Sequence, residues 1–301
     1  MVDLRFWSSW HELVREFLGE YVLVEVEGLY ELLKEIRGRV VKDFLSDVID
    51  GDFDPGEVLP PWVCHKYFNG YAYRLEWYYE VLKKECEYMV RKHGFFFFRT
   101  DCVSPKDVAY EWSRWFLDDM LKLGIAPIPN TMDNAVILNN AYALLLMLIG
   151  SARVLREPFK YVVLRQPLFF EYEFRVFIRN GKPRLITWYY AEENPYNWDY
   201  YRRAIDCLVN RWENEIQPIV DRVVEAGVKD FTMDVGFPRN HWWSEHGLLR
   251  KRWALVELNP FPRPDDPYYV YPGLFKEDFW DKLREAEEKD IVIIRTPEKI
   301  E

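Results

Sequence analysis

The sequence predicts an α+β protein whose second half is rich in strands. Three observations carry that reading. Across residues 4–50, and again across about 71–93, apolar residues recur at steps of three and four, the spacing of a helix face. Residues 161–190 hold strand-like runs broken by Asn180-Gly181, a pair suited to the positive φ angles of a type I′ hairpin turn. Two late runs, "FTMDVGF" (231–237) and "WALVELN" (253–259), alternate with period two. The second stops at Pro260, which has no N–H to give to a ladder.

The elements follow in order. "WHELVREFLGEYV" and "LYELLKEIRGRVVKDFL" read as helices, the second interrupted at Gly38. "GDFDPGEVLPPW" (51–62) is a Pro/Gly/Asp loop and the first boundary. "GFFFFRTD" gives a short strand after Gly94. "SPKDVAYEWSRWFLDDML" carries a helix start, with Ser104 as N-cap, Pro105 in the first helical position and Asp107 in the first turn. "AVILNNAYALLLMLIG" is a strand then a helix, or one long helix; periodicity leaves both open. "YVVLRQP" is a strand and "EFRVFIRNGKPRLITWYY" a hairpin. "YYRRAIDCLVNRWENEIQPIVDRVVEAG" is helical. The two late strands are joined by "PRNHWWSEHGLLRKR", and "KEDFWDKLREAEEKD" and "IVIIRT" close the chain as helix and strand. Straight alternation in "WALVELN" puts Ala254, Val256 and Leu258 on one face and Leu255, Glu257 and Asn259 on the other.

Composition narrows the function classes. The 301 residues carry 40 Lys+Arg against 50 Asp+Glu, a net charge of −10, so general nucleic-acid binding is not expected. The four cysteines form no CxxC pair, which supports neither zinc nor a disulfide framework and fits reduced thiols in the cytoplasm. The N-terminal stretch lacks a signal-peptide core, and the longest apolar run, "AYALLLMLIG", is too short to span a bilayer, so no membrane association is expected. No GxSxG, Walker A or GxGxxG sequence occurs, and the five histidines lack metal-ligand spacing.

The candidate chemistry lies on the late strands. Glu257 and Asn259 share a face, and so do Thr232, Asp234 and Gly236. If the two strands pair antiparallel, Asp234 lies across from Glu257 and Asn259. Three oxygen donors without His or Cys suit Mg²⁺, which keeps waters and is completed by substrate phosphates, so a nucleotide is the natural partner. The bland alternative is strand carboxylates that are solvated or paired with arginine. Clustered carboxylates repel one another without a cation, so Asp234→Asn is expected to leave the fold intact. Arg99 and Arg165 end strands, and Glu173 and Arg175 share a face. These are rim charges, with Glu173 and Arg175 pairing locally, or arginine forks offered to phosphate.

The order of the motifs is more specific than any one of them. "GFFFFRTDCVSPKDVAYEW", "YALLLMLIGSARVLRE", "YVVLRQPLFFEYEFRVFIRNGKPRLITWYY", "FTMDVGF" and "WALVELNPF" together resemble the cell division cycle protein 123 family of the ATP-grasp superfamily, over residues 94–275. The resemblance implies an ATP-grasp fold in which two α+β lobes clasp ATP and Mg²⁺. Residues 94–165 would form the small lobe and 166–301 the large lobe, after a mainly helical region over 1–93. It implies Asp234, Glu257 and Asn259 as metal ligands. Arg99, Arg165, Glu173 and Arg175 would lie near the phosphates, and the segment from Gln166 to Leu168 would be the adenine hinge, acting through its backbone. There are departures. Arg99 stands where the family has lysine. Met147 and Leu148 stand where another lysine is expected. The terminal motif is Glu-x-Asn-Pro rather than Asp-x-Asn.

Two functions are weighed. The first is a ligase-type enzyme in which ATP phosphorylates a substrate carboxylate and an amine attacks the acyl phosphate. Arg99 and Arg175 would stabilise the transferring phosphoryl and Arg263 would orient the carboxylate. The second, implied by the resemblance, is an ATP-dependent assembly chaperone for a translation initiation factor 2 subunit. Glu257, Asn259 and Arg263 favour the enzyme; the order of the motifs favours the chaperone.

Overall fold

The computed structural model describes residues 2–47, 58–59, 61–104, 108–109, 112, 117–127, 136–189, 198–238, 252–263 and 273–297. In chain order its elements are α1 (Trp7–Trp10), a 3₁₀ helix (His11–Phe17), β1 (Tyr21–Glu25), α2 (Leu29–Asp47), α3 (Pro61–His93), β2 (Phe97–Thr100), α4 (Leu117–Lys122), β3 (Ile125–Pro127), β4 (Val136–Leu138), α5 (Ala141–Gly150), β5 (Tyr161–Arg165), β6 (Phe170–Arg179), β7 (Lys182–Trp188), α6 (Trp198–Arg211), a π turn (Trp212–Ile216), α7 (Gln217–Glu225), β8 (Phe231–Pro238), β9 (Ala254–Pro260), α8 (Phe279–Lys289) and β10 (Ile293–Arg295). The chain divides into two compact units, one of residues 20–167 and one of residues 1–19 with 168–301.

The unit of residues 20–167 is built on the antiparallel sheet β1-β5-β2, with β3–β4 as a separate ribbon. Val24, Phe98, Val162 and Leu164 join a core with α2, α3 and α5. The helical spacing expected through residues 10–22 breaks in the structure. Gly19 adopts φ +71, and "YVLVE" then pairs with β5 in the register Val22↔Leu164 and Val24↔Val162. A β-branched run with a ready partner strand prevails over helical periodicity here. Residues 1–93 are accordingly shared out: 1–19 go with 168–301, and 20–93 with 94–167.

Helix α3 begins at Pro61, ten residues before the start expected from periodicity. Proline suits the first helical turn, and Val63 and Cys64 are fully buried, which anchors the extension. The ambiguous stretch before residue 150 resolves as strand then helix. Asn140 caps α5 by accepting from the Ala143 N–H at 2.8 Å. Nine of the ten α5 side chains are buried. Its C-terminal carbonyls at Ile149 and Gly150 accept from the buried Arg37 guanidinium at 3.1 and 3.0 Å, a cation at the negative end of the helix. The helix start expected at Ser104 involves Pro105 and Asp107, which lie outside the described residues, as do His241 and His246.

The other unit carries the five-stranded sheet β10-β7-β6-β8-β9, antiparallel except where β10 runs parallel to β7. The hairpin turn forms as expected, with φ +54 at Asn180 and +75 at Gly181. One face is aromatic. Phe174, Trp188 and Trp253 pack there, Tyr200 and Tyr201 of α6 meet Trp188, and Glu215 of the π turn accepts from the Trp253 N–H at 2.8 Å. On the opposite face, Phe279 and Leu283 of α8, with Phe275 of the turn before it, cover Phe177 and Leu185. The same face carries a small apolar patch of Leu168, Phe170 and Ala254, and between the two lie polar side chains.

Candidate functional site

Sheet register assembles the polar face. Arg175 of β6 lies between Thr187 of β7 and Asp234 of β8, and Asp234 in turn lies across from Glu257 of β9. One rung therefore reads Thr187, Arg175, Asp234, Glu257 across four strands. The next rung reads Leu185, Phe177, Thr232, Asn259. The antiparallel pairing of the two late strands expected from sequence is thus observed, with Asp234 opposite Glu257. A bulge falls beside this rung: Asp234 pairs with Glu257, but Val235 pairs with Leu255. Val256 is the extra residue, so Leu255 shares a face with Leu258 and not with Glu257 and Asn259 as straight alternation had it. Such a bulge re-aims side chains at a strand edge, and β9 is an edge strand of its sheet.

The rung is tied together at its centre. Arg175 donates from Nε and Nη2 to the two Asp234 oxygens at 2.7 and 2.8 Å, and both side chains are buried. The Arg175 guanidinium also lies 4.9 Å from the centre of the Tyr189 ring. Burial disfavours its charge, but Asp234, by charge and hydrogen bond, with help from Tyr189 and Glu257, holds Arg175 well above the ordinary arginine value. The bond to Asp234 across the strands is not read from sequence, which offers only a local Glu173–Arg175 pairing. Glu173 is buried one rung further on, opposite Gly236, and its backbone carbonyl accepts from the Tyr189 N–H at 3.0 Å. The expectation that Asp234 is a surplus carboxylate fails for the same reason, since its charge is already matched.

Around this pair the donor set is oxygen. Glu257 and Asn259 are half-buried. The Thr232 hydroxyl, opposite Asn259, is fully buried and has no hydrogen-bond partner among the described residues. A buried hydroxyl in that condition marks a place for a further polar group. Among the described residues no three His, Cys, Asp or Glu side chains cluster as a cation cage. Two carboxylates, an amide and a hydroxyl do not enclose a cation alone; they fit Mg²⁺, which takes few protein ligands and completes its sphere with water and phosphate. On the other side Thr187 accepts from the Leu274 N–H at 3.0 Å beneath Gly273, and the rung continues to Arg295 of the edge strand β10. Sequence reasoning missed Thr187, because counting back from the hairpin turn puts Ile186 opposite Arg175. A register shift between Phe177 and Ile178 moves the pairing by one.

The remaining candidates take these positions. In the unit of residues 20–167, Arg165 and Arg99 lie on the same face of the β1-β5-β2 sheet, opposite the packed Leu164, Val162 and Phe98. Arg99 donates to the Thr100 carbonyl at 3.3 Å and to the Cys102 carbonyl at 3.5 Å, which holds its turn. Gln166 extends the β1–β5 ladder: its N–H donates to the Glu20 carbonyl at 2.8 Å, and its side chain accepts from the Glu20 N–H at 3.3 Å. Met147 and Leu148 are fully buried in α5. In the other unit, Leu168 packs with Ala254 and Phe170, and Arg263 is exposed three residues past the end of β9.

Comparison with known proteins now bears on the fold. Cdc123 from Schizosaccharomyces pombe is 17% identical, with a TM-score of 0.53 over 99% of both chains. The chain has the ATP-grasp-like fold of Cdc123. A C-terminally truncated form of the same yeast protein is 16% identical, with a TM-score of 0.54 over 99% of this chain and 100% of that one. A D-alanine–D-alanine ligase from Bacillus anthracis, in complex with ATP, is 16% identical with a TM-score of 0.27, over 69% of this chain and 66% of its own. No family model matches the sequence, and no curated protein does. Among the described residues, no helix is long and apolar enough to cross a membrane.

Proposed function

We propose that the polar rung of β6–β9 is a nucleotide-and-magnesium site, and that the chain is an ATP-grasp enzyme of the carboxylate–amine ligase type. The observation that carries the reading is the register of β8 and β9, which sets Asp234 against Glu257 and the orphaned Thr232 hydroxyl against Asn259. Glu257, Asn259 and the outer lone pairs of Asp234 are the oxygen donors for Mg²⁺ carried by ATP phosphates. Bound there, the ion offsets charge on the phosphates. Arg175 fixes the rotamer of Asp234, because its fork is engaged with both carboxylate oxygens. This makes it a positioning group first and a phosphoryl contact second. Within the unit of residues 20–167, Arg99 and Arg165 share a face of its sheet and are by themselves candidates for binding phosphate; the buried Met147 and Leu148 leave α5 no lysine for that task. The Gln166 N–H is engaged with Glu20, so adenine recognition falls to the backbone nearer Leu168. Glu173 borders the rung. Arg263, exposed just past β9, receives the substrate carboxylate.

A second reading is favoured by one observation: the fold likeness to Cdc123 extends over 99% of both chains. On that reading the site holds ATP as a switch in an assembly chaperone whose client is a translation initiation factor 2 subunit, and the surroundings of Arg263 take no small molecule. Phosphate release in the presence of panels of amino acids and short peptides separates the two. The enzyme reading predicts stimulation by at least one carboxylate–amine pair, lost in Arg263→Ala while ATP binding is kept. No stimulation by any acceptor, together with tight capture of the factor subunit, overturns it in favour of the chaperone.

A further inference from the structure

Helix α3 has a second, solvent-facing side. Its exposed positions include Trp62, Lys66, Asn69, Gly70, Tyr73, Glu76, Trp77, Glu80 and Lys84. Three of them are large aromatics, with Trp62 55%, Tyr73 75% and Trp77 59% exposed. Single exposed aromatics are ordinary on protein surfaces. What sets these apart is what an antiparallel copy would bring opposite them. The stripe 62, 66, 69, 73, 77, 80, 84 keeps to helical spacing, so it can lie along its own copy about Tyr73, and that sets Lys66 against Glu80 and Lys84 against Trp62.

We propose that this face of α3 packs antiparallel against the same face of a second copy of the chain, about a two-fold axis at Tyr73. A two-fold interface is self-complementary: residue i meets j, and j meets i. Here each residue meets the one whose number completes 146. Tyr73 meets its own copy. Trp77 meets Asn69, beside Gly70, where an added Cβ would touch nothing within 4 Å and which leaves room for the indole. Lys66 meets Glu80, giving two opposite-charge pairs per dimer. Lys84 meets Trp62, giving two cation–π contacts. No like charges are opposed along the stripe. Among the described residues, the ion-pair neighbour of Glu80 in its own chain is the exposed Lys83 at 3.9 Å, a loose contact that does not compete strongly.

The central anchor is already ordered. The Trp77 ring sits edge-on to Tyr78 at 4.9 Å between centres, and the Tyr78 hydroxyl donates to the Glu27 carbonyl at 2.9 Å. Holding the indole in place beforehand lowers the ordering cost of association. From Trp62 to Lys84 the contact runs about 33 Å along the helix axis. A single helix pair of that length is a small interface, so association should be weak and concentration-dependent.

The test is sedimentation velocity on the full chain from about 1 µM to about 1 mM, the range in which weak specific association shows. The expected result is a reversible monomer–dimer equilibrium. Lys66→Glu and Glu80→Lys should each weaken it about tenfold, because two pairs per dimer are lost and replaced by repulsion. The double variant Lys66→Glu/Glu80→Lys should restore it, since the pairs re-form with the charges exchanged. Both positions of the test are exposed surface, so folding is retained, and circular dichroism verifies it. A chain that stays monomeric throughout overturns the proposal. So does a dimer indifferent to both single reversals, or a double variant as weak as either single one.

Discussion

Replacing Asp234 by asparagine removes one charge and no volume, and the structure says this should be costly. Asp234 is 1% exposed and Arg175 8% exposed, and both carboxylate oxygens accept from the guanidinium at 2.7 and 2.8 Å. In Asp234→Asn one acceptor becomes an NH₂ donor facing an arginine donor, and the cation is left buried without its counter-charge. Breaking a buried pair from one side costs about 3–5 kcal/mol. That is a large share of the roughly 5–15 kcal/mol that stabilises a folded protein. Urea unfolding in chelator, followed by the tryptophan fluorescence that tracks Trp188 and Trp253 behind the sheet, measures it. The double variant Arg175→Met/Asp234→Leu should recover most of the loss, because neither charge is then buried alone. If Asp234→Asn unfolds within about 0.5 kcal/mol of wild type in chelator, the pair contributes nothing and the reasoning fails.

Further outcomes follow from other parts of the chain. The Glu20 carboxylate lies below its ordinary value of 4.5, because hydrogen bonds from Lys92, Tyr88 and His93 outweigh the opposing effect of burial. A depressed carboxylate stabilises above its unfolded value and loses that contribution as pH falls through the folded one. Glu20→Gln should therefore unfold more easily at neutral pH by about 1–2 kcal/mol, and the two proteins should converge in melts taken progressively below pH 4.5. Gly273 has φ +59, and a Cβ there would sit 2.5 Å from the Thr187 methyl carbon, so Gly273→Ala should cost about 2 kcal/mol or more by denaturant midpoint. Arg99→Ala should weaken ATP binding by about 1–3 kcal/mol, with Arg99→Lys milder. Equal losses for ATP and AMP in calorimetry would count against contact with the outer phosphates.

What the sequence made legible was local. Asn180-Gly181 announced its turn through backbone geometry alone, and the period-two runs at 231–237 and 253–259 announced an antiparallel pair with Asp234 across from Glu257. Long-range register was hidden. The Arg175–Asp234 bond depends on β8 lying beside β6 although strand β7, two helices and a π turn separate them in the chain, and nothing near either residue encodes that order. Both bulges were invisible too: an extra residue at Val256 and a shift after Phe177 each leave the apolar pattern plausible while changing which side chains share a face. Strand β1 was missed because "YVLVE" follows a stretch with helical spacing, and its partner β5 lies about 140 residues away in the chain.

On the proposed function, the β8–β9 rung holds a divalent cation together with a nucleotide. Crystals grown with Mn²⁺ and a non-hydrolysable ATP analogue test this, because manganese scatters anomalously and takes the place of magnesium. An anomalous peak is expected within about 2.0–2.3 Å of oxygens from Glu257 and Asn259, with Asp234 still held by Arg175 and phosphate oxygens completing the sphere. A nucleotide bound with its metal away from Glu257 and Asn259, or bound with no metal at all, would contradict it.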